Sequence, residues 1–408
     1  MLGSIQLYKM KGKIILHTET KTVDPLPSLS NIDWTKLNWK EEQKRNVTTV
    51  EELKTYFKLS PKEEEDFQKI SENHPINIPR YYLSLIDPND ENDPIKKLAV
   101  PTSDELVDGE GTTDDPYGDD KHDKGNGVLH KYPYSALVVA TEYCPMYCRH
   151  CFRKRLVGLE TDKTVDDFEE ASKYIRNHPE ITNVIISGGD PFLLGTERIK
   201  KMLGFLKDIP HLNYVRIGSR AVLTYPLRFF EPELLEVLRE FNQHKTLYVP
   251  THFNHPKEIT KETTLAVKNL RDAGITVNNQ AVLLAGVNDS EEALEDLMNG
   301  LIRIGVNPYY LYQTMPVAHV AKQFQVPLKK GVDMVSNVKR RLDGYAKRFK
   351  FIMGHDIGKI EIVGRTGNKL VMSQIHARPE FPEEASRILV RELNDTATWL
   401  DDMKEVEL

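Results

Sequence analysis

From about residue 134 onward, short β-branched runs alternate with longer amphipathic segments. This alternation restricts the fold more than any other feature of the chain. Strands are predicted over 135–141, 183–187, 215–218, 246–253, 276–284 and 308–313, with helices over 165–177, 196–207, 232–243, 261–273 and 290–304. Parallel strands need a crossover of a dozen or more residues, and these helices supply one between each pair. The expectation is an α/β chain with a partial (β/α)6 barrel, a flat doubly wound sheet being the alternative. No glycine-rich dinucleotide or phosphate-loop motif follows any strand. The organisation expected is an N-terminal helical cap and acidic connector over 1–127, the barrel over 128–315, and a C-terminal extension over 316–408.

The N-terminal third carries helix signals: apolar residues at helical spacing over 48–59, then Ser60-Pro61-Lys62-Glu63 as an N-cap with proline in the first turn. Between 104 and 127 acids accumulate (Asp104, Glu105, Asp108, Glu110, Asp114, Asp115, Asp119, Asp120, Asp123), which reads as a solvated, mobile loop. The basic residues Lys339, Arg340, Arg341, Lys347, Arg348 and Lys350 read as a solvated helical face, docking of an acidic partner being the lesser alternative. The net charge of −6 lacks the basic surplus of a nucleic-acid binder. No apolar run reaches the roughly 18 to 20 residues of a membrane helix, and the first twenty residues lack a secretory signal. Three cysteines in 408 residues are too few for a disulfide framework, which points to a reducing cytoplasm.

All three cysteines fall within Cys144-Pro-Met-Tyr-Cys148-Arg-His-Cys151, directly after the first predicted strand of the series. Three thiolates on one tight loop suit three irons of a cubane, leaving the fourth iron open to a small molecule. Structural zinc with His150 as fourth ligand, or plain buried thiols, are the alternatives. At the end of the next strand stands Ser187-Gly188-Gly189-Asp190-Pro191. Its glycines would let backbone approach a ligand, and Asp190 would offer a carboxylate to a ligand ammonium; an ordinary strand-to-helix turn with an N-cap is the alternative.

With these residues in view, the chain resembles the radical S-adenosylmethionine superfamily, and within it the lysine 2,3-aminomutase family. The resemblance spans about residues 37 to 330 and rests on residues 81–90, CPMYCRHCFRKR (144–155), Arg216-Ile-Gly-Ser-Arg220, Thr251-His-Phe-Asn-His-Pro256, residues 279–289 and Pro308-Tyr-Tyr310. It implies a [4Fe-4S] cluster on Cys144, Cys148 and Cys151. It also implies S-adenosylmethionine on the open iron, cleaved to a 5′-deoxyadenosyl radical that abstracts a substrate hydrogen. Ser187, Gly188, Gly189, Asp190, Ser219, His252 and Gln280 become candidate cofactor contacts.

The resemblance further implies pyridoxal phosphate, a Schiff-base lysine, and conversion of an α-amino acid to a β-amino acid. Arg153 matches the family arginine for the substrate carboxylate, and a guanidinium fork suits that task. Asp289 matches an acid for a side-chain amine, and an N-cap is its other reading. Met315 stands where a second such acid is expected, which leaves a substrate other than lysine open. Where the family has Arg-Tyr-Pro-x-Arg for the cofactor phosphate, this chain has Lys131-Tyr132-Pro133-Tyr134-Ser135, so Lys131 and Tyr132 remain and one arginine is missing. Lys359 falls within one residue of the Schiff-base position without the glycine run, and an exposed strand lysine is its alternative. Expected partners are a small amino-acid substrate, a reductant such as flavodoxin or ferredoxin, and further copies of the chain. The alternative function is a relative without pyridoxal phosphate that abstracts hydrogen from another amino acid or a protein side chain. A non-catalytic iron–sulfur or zinc protein is the third.

Overall fold

The computed structural model describes residues 7–10, 13–16, 26–109, 111–159, 161, 163–165, 167–378 and 380–406. Glu110 and most of the segment read for a secretory signal lie outside this set.

Twelve strands form one sheet in unbroken sequence order. They are β1 (Val128–Tyr132), β2 (Ser135–Thr141), β3 (Asn183–Gly188), β4 (Tyr214–Ile217), β5 (Thr246–Thr251), β6 (Thr276–Leu283), β7 (Asn307–Gln313), β8 (Lys350–His355), β9 (Gly358–Thr366), β10 (Lys369–Ala377), β11 (Ile388–Glu392) and β12 (Lys404–Glu405). β2 to β8 pair in parallel, β1 pairs antiparallel to β2, and β9 to β12 continue antiparallel from β8. A doubly wound sheet reverses its strand order at a switch point. This order never reverses and its two ends do not pair, which is the topology of an open barrel.

The six expected strands are all present. A seventh parallel strand, β8, follows helix α6, so the sheet runs on without a break past residue 315.

The crossover helices are α1 (Phe168–Arg176), α2 (Thr196–Lys207), α3 (Pro232–His244), α4 (Lys261–Asp272) and α5 (Glu291–Ile304), with α6 (Leu328–Arg341) between β7 and β8. Their ends follow local chemistry. Ser290 caps α5 by accepting from the Ala293 amide, and Gly305 closes it at φ 81°, a conformation glycine enters without steric cost.

The N-terminal helices frame one side of the barrel. Pro61–Asn73 begins with a reciprocal Ser60–Glu63 capping box, as expected. The helix expected over 48–59 is shorter: only Val50–Leu53 is helical, and the chain then turns so that Tyr56 and Phe57 pack on the core. Tertiary burial overrides helical periodicity there. The segment that follows pins the cysteine loop. Asn77 Nδ2 donates to the Cys144 carbonyl at 2.9 Å, Asn46 Nδ2 to that of Pro145 at 3.0 Å, and the Tyr147 amide to the Asn77 carbonyl at 3.1 Å.

The acidic connector is only in part the solvated loop expected from its composition: Asp104, Asp108 and Asp114 are exposed, but other acids turn inward. Glu105 is buried and meets both Arg149 and Lys154. Buried Asp119 pairs with Arg153 at 2.8 Å, and Asp115 and Asp120 each meet Arg155 at 3.2 Å. A basic stretch cannot be buried unless its charge is answered, so these four acids are counter-ions to the cysteine loop and the turn after it. In the basic cluster at 339–350, which stays largely exposed, Arg341 pairs with Glu291 and Glu295, and Lys350 with Glu361. Among the described residues no helix is long and apolar enough to cross a membrane.

Removing Glu105 leaves two buried cations unpaired, a change that costs about 3–5 kcal/mol. Glu105→Ala is therefore expected to lower the unfolding midpoint markedly, while exposed Glu51→Ala leaves it within experimental scatter. Equal midpoints for the two variants would contradict the counter-ion role.

Candidate active site

The cysteine loop leaves the C-terminal end of β2, and the end of β3 lies against it. The Gly189 amide donates to the Thr141 carbonyl at 2.6 Å and the Asp190 amide to that of Tyr143 at 2.8 Å. A Cβ on Gly188 (φ 110°) would stand 2.4 Å from the Thr141 carbonyl oxygen, and one on Gly189 2.3 Å from that of Tyr143. The glycine pair is thus required by close approach to the cysteine loop itself, where the sequence suggested a ligand.

Asp190 also differs from expectation. Its buried carboxylate accepts from Ser219 Oγ at 2.9 Å and from the amides of Phe192, Arg220 and Ala221 at 3.1, 2.9 and 2.8 Å. With these donors on its oxygens, Asp190 joins the ends of β3 and β4, the N-cap alternative of the sequence being met by the Phe192 amide. Ser219 is its partner in that task.

Cys144, Cys148 and Cys151 lie half-buried at this junction. Burial and then the neighbouring acid and thiols push Cys144 well up, and burial and then Cys148 push Cys151 to about 11. Burial raises Cys148 as well, against the pull of Arg220, whose Nη1 stands 2.5 Å from its sulfur. Arg220 is fixed by Glu258 at 2.7 Å and by the His252 carbonyl at 3.1 Å. Glu258, fully buried, also accepts from Tyr82 Oη at 2.6 Å.

Among the described residues no three His, Cys, Asp or Glu side chains are grouped closely enough for one metal ion. His150, the fourth ligand in the zinc alternative, has its Nε2 3.1 Å from Asn254 Nδ2. Three thiols on one short loop beside a guanidinium suit a [4Fe-4S] cluster, each thiolate taking one iron. Metal binding would deprotonate thiols that burial keeps protonated.

Four further candidates surround this junction. His252 Nδ1 lies 2.7 Å from the Gln280 carbonyl, and burial, then Arg220, depresses the ring to about 4, which keeps it neutral. The side chains of Ser187 and Gln280 make no hydrogen bond among the described residues, which leaves both able to serve a ligand. Arg153 follows the cluster loop, its Nε on Asp119 and its guanidinium 4.6 Å from the Phe152 ring centre. Its two Nη groups carry no hydrogen bond among the described residues and form an open fork.

Asp289 is occupied elsewhere. Its carboxylate takes the Gly286 amide at 2.7 Å and Lys330 Nζ at 2.5 Å, so it closes the turn before α5 and is already neutralised. Met315 packs where a second acid was expected: a Cβ on Gly354 would stand 2.8 Å from Met315 Cε and 3.1 Å from Tyr117 Cε2.

Lys359 is on β9, with Nζ 4.9 Å from the Tyr310 ring centre and 6.0 Å from that of Tyr312. Burial, then Arg216 and Lys131, lowers its ammonium to about 8. No carboxylate pairs with it among the described residues. Lys131 Nζ donates to the Tyr117 carbonyl at 2.7 Å, lies 3.9 Å from that residue's ring centre, and is lowered by burial to about 8. Tyr132 Oη is 3.0 Å from Tyr117 Oη, and its ring packs on His376 at 5.5 Å. The sequence reading missed Arg220 as a cluster neighbour, and Glu258 and Asp119 as the acids that fix Arg220 and Arg153. Arg220 lies inside a quoted motif, whereas nothing local marks the two acids.

Comparison with known proteins agrees with this geometry. Residues 138–298 match the model of the Radical SAM superfamily. A putative L-lysine 2,3-aminomutase of Aquifex aeolicus is 39% identical over 366 residues, covering 89% of this chain and 96% of that protein. The L-lysine 2,3-aminomutase of Clostridium subterminale is 39% identical over 318 residues, covering 78% and 75%. The glutamate 2,3-aminomutase of Clostridioides difficile is 36% identical over 315 residues, covering 77% and 73%. Identity of this level over most of both chains, with three cysteines on a loop after the first barrel strand, makes the protein a member of the lysine 2,3-aminomutase family of radical SAM enzymes.

Proposed function

We infer that this chain is a radical SAM 2,3-aminomutase that moves the amino group of an α-amino acid to its β-carbon. The observation that carries the reading is Lys359: a buried amine with a depressed pKa, over two tyrosine rings, with no carboxylate of the described residues to hold its proton. A lysine that must attack an aldehyde needs such a desolvated, cation-bordered setting. When bound, the [4Fe-4S] cluster with S-adenosylmethionine supplies a 5′-deoxyadenosyl radical, and pyridoxal phosphate supplies conjugation for the migrating nitrogen. Cys144, Cys148 and Cys151 would hold the cluster, with Arg220 stabilising the thiolate of Cys148. Ser187, His252 and Gln280 are the proposed contacts for S-adenosylmethionine. Arg153 would take the substrate carboxylate on its open Nη fork, steadied through Nε by Asp119. A reductant is required, and flavodoxin or ferredoxin is the donor proposed, in a cytoplasmic homo-oligomer.

The named relatives act on lysine and on glutamate. For this chain we propose a substrate whose side chain lacks a distal ammonium. Asp289 is already paired with Lys330, and Met315 presents a thioether where such an ammonium would need a carboxylate. Met315→Asp is expected to raise kcat/KM for lysine by roughly tenfold, the worth of one charged hydrogen bond, and to lower it for uncharged amino acids. Unchanged selectivity would remove Met315 from the pocket. Arg153→Ala is expected to lower kcat/KM about a hundredfold or more, with the cluster and uncoupled S-adenosylmethionine cleavage intact.

The defining test is borohydride reduction of the chain reconstituted with pyridoxal phosphate, followed by peptide mapping. The label is expected on Lys359. The neutral amine is the nucleophile, and it accumulates as pH rises past the lowered value of about 8. The rate of labelling should therefore climb from about pH 7 and level off near pH 9. A rate still climbing at about pH 10, or label on another lysine, contradicts the assignment; no label at all favours the relative without pyridoxal phosphate.

A further inference from the structure

Burial of an arginine is answered by a carboxylate almost everywhere in this fold. Arg80 meets Glu42, Arg149 meets Glu105, Arg153 meets Asp119, Arg220 meets Glu258 and Arg228 meets Glu231. Arg216 on β4 is different. Its Nη2 donates to Ser135 Oγ at 2.8 Å and to Asn183 Oδ1, both neutral. Its Nε is buried without a partner, and no carboxylate pairs with it among the described residues. Its guanidinium lies 5.8 Å from the ring centre of Tyr214.

The surroundings add positive charge. Lys359 feels both Arg216 and Lys131, and His376 is pushed down to about 4 by burial, then by Lys359 and Arg216. Lys131 Nζ is satisfied by main-chain carbonyls of Tyr117 and His355 at 2.7 and 3.4 Å. A guanidinium with an orphaned donor, two lysines and tyrosine rings, with no carboxylate hydrogen-bonded to any of the three cations among the described residues and Asp356, Asp119 and Asp115 acting on Lys131 only at longer range, makes a region that favours an anion.

Position 135 indicates which anion. The family resemblance calls for an arginine there, in the stretch that grips the cofactor phosphate, and this chain has serine. Arg216, two strands away in the sheet, reaches the hydroxyl of that same serine. We propose that Arg216, with Lys131, binds the phosphate of pyridoxal phosphate and replaces the arginine absent at position 135. Two cations then face a group carrying close to two negative charges, and Lys359 is left to react with the aldehyde. The inference rests on the reading of Lys359 as the aldehyde-binding lysine.

The test compares pyridoxal phosphate with pyridoxal, which lacks the phosphate, using the full chain with its cluster reconstituted. Binding is read from absorbance and from the borohydride-fixed adduct on Lys359, without turnover. The wild type is expected to prefer pyridoxal phosphate by about a hundredfold or more. Arg216→Met should remove most of that preference while binding pyridoxal within about threefold of wild type, and Ser135→Arg in the same chain should restore it. Inorganic phosphate should compete with pyridoxal phosphate in the wild type and not with pyridoxal, a measurement that needs no variant to fold. An undiminished preference in Arg216→Met, or phosphate competing with both aldehydes or neither, overturns the inference while leaving Lys359 in place. No adduct on Lys359 with either aldehyde overturns the reading beneath it, and the inference with it.

Discussion

Charge neutralisation around the cysteine loop is the constraint on which the rest of this structure depends. The loop and the turn after it carry Arg149, Arg153, Lys154 and Arg155 into the interior or its margin, and Glu105, Asp119, Asp115 and Asp120 come from a distant segment to meet them. Without those acids the loop could not lie against β3, because buried cations without partners cost more than the packing returns. With them, the Gly188–Gly189 backbone closes on Thr141 and Tyr143, and the three thiols are held at the ends of the barrel strands. The connector that looks like a spacer in sequence is therefore part of the site's foundation.

A second region of the barrel is built on the opposite principle. Around Lys359 the protein gathers Lys131, Arg216 and His376 among tyrosines and pairs none of them with a carboxylate among the described residues, apart from Asp356, Asp119 and Asp115 acting on Lys131 at longer range. One part of the chain is neutral before any ligand arrives and the other is left short of negative charge. The first suits an inorganic centre held by the thiols, and the second suits an anionic organic cofactor.

Sequence reasoning worked wherever the cause was local. Helix α2 is read to the residue because its periodicity and flanking turns coincide, and the Ser60–Glu63 box announces its helix. The cysteine spacing and the strand–helix rhythm are likewise local. Lys359 was reachable by register, but its burial was not, since that depends on Tyr310 and Tyr312 from β7. The partners of Asp190 and Asp289 were out of reach for the same reason. A carboxylate's availability is decided by partners far along the chain, Ser219 in one case and Lys330 in the other. Arg216 was legible only as part of a motif, and its lack of a counter-ion is a three-dimensional fact.

The central claim, migration of nitrogen from the α- to the β-carbon, is tested most directly by following a labelled amino group. The reconstituted and reduced enzyme would be incubated with S-adenosylmethionine, pyridoxal phosphate and a panel of α-15N amino acids, and nitrogen-coupled carbon spectra recorded. The account predicts 15N on carbon 3 of an amino acid without a distal ammonium, in preference to lysine. If S-adenosylmethionine is cleaved and substrate hydrogen exchanged while every 15N stays on carbon 2, the protein is a radical enzyme but not an aminomutase.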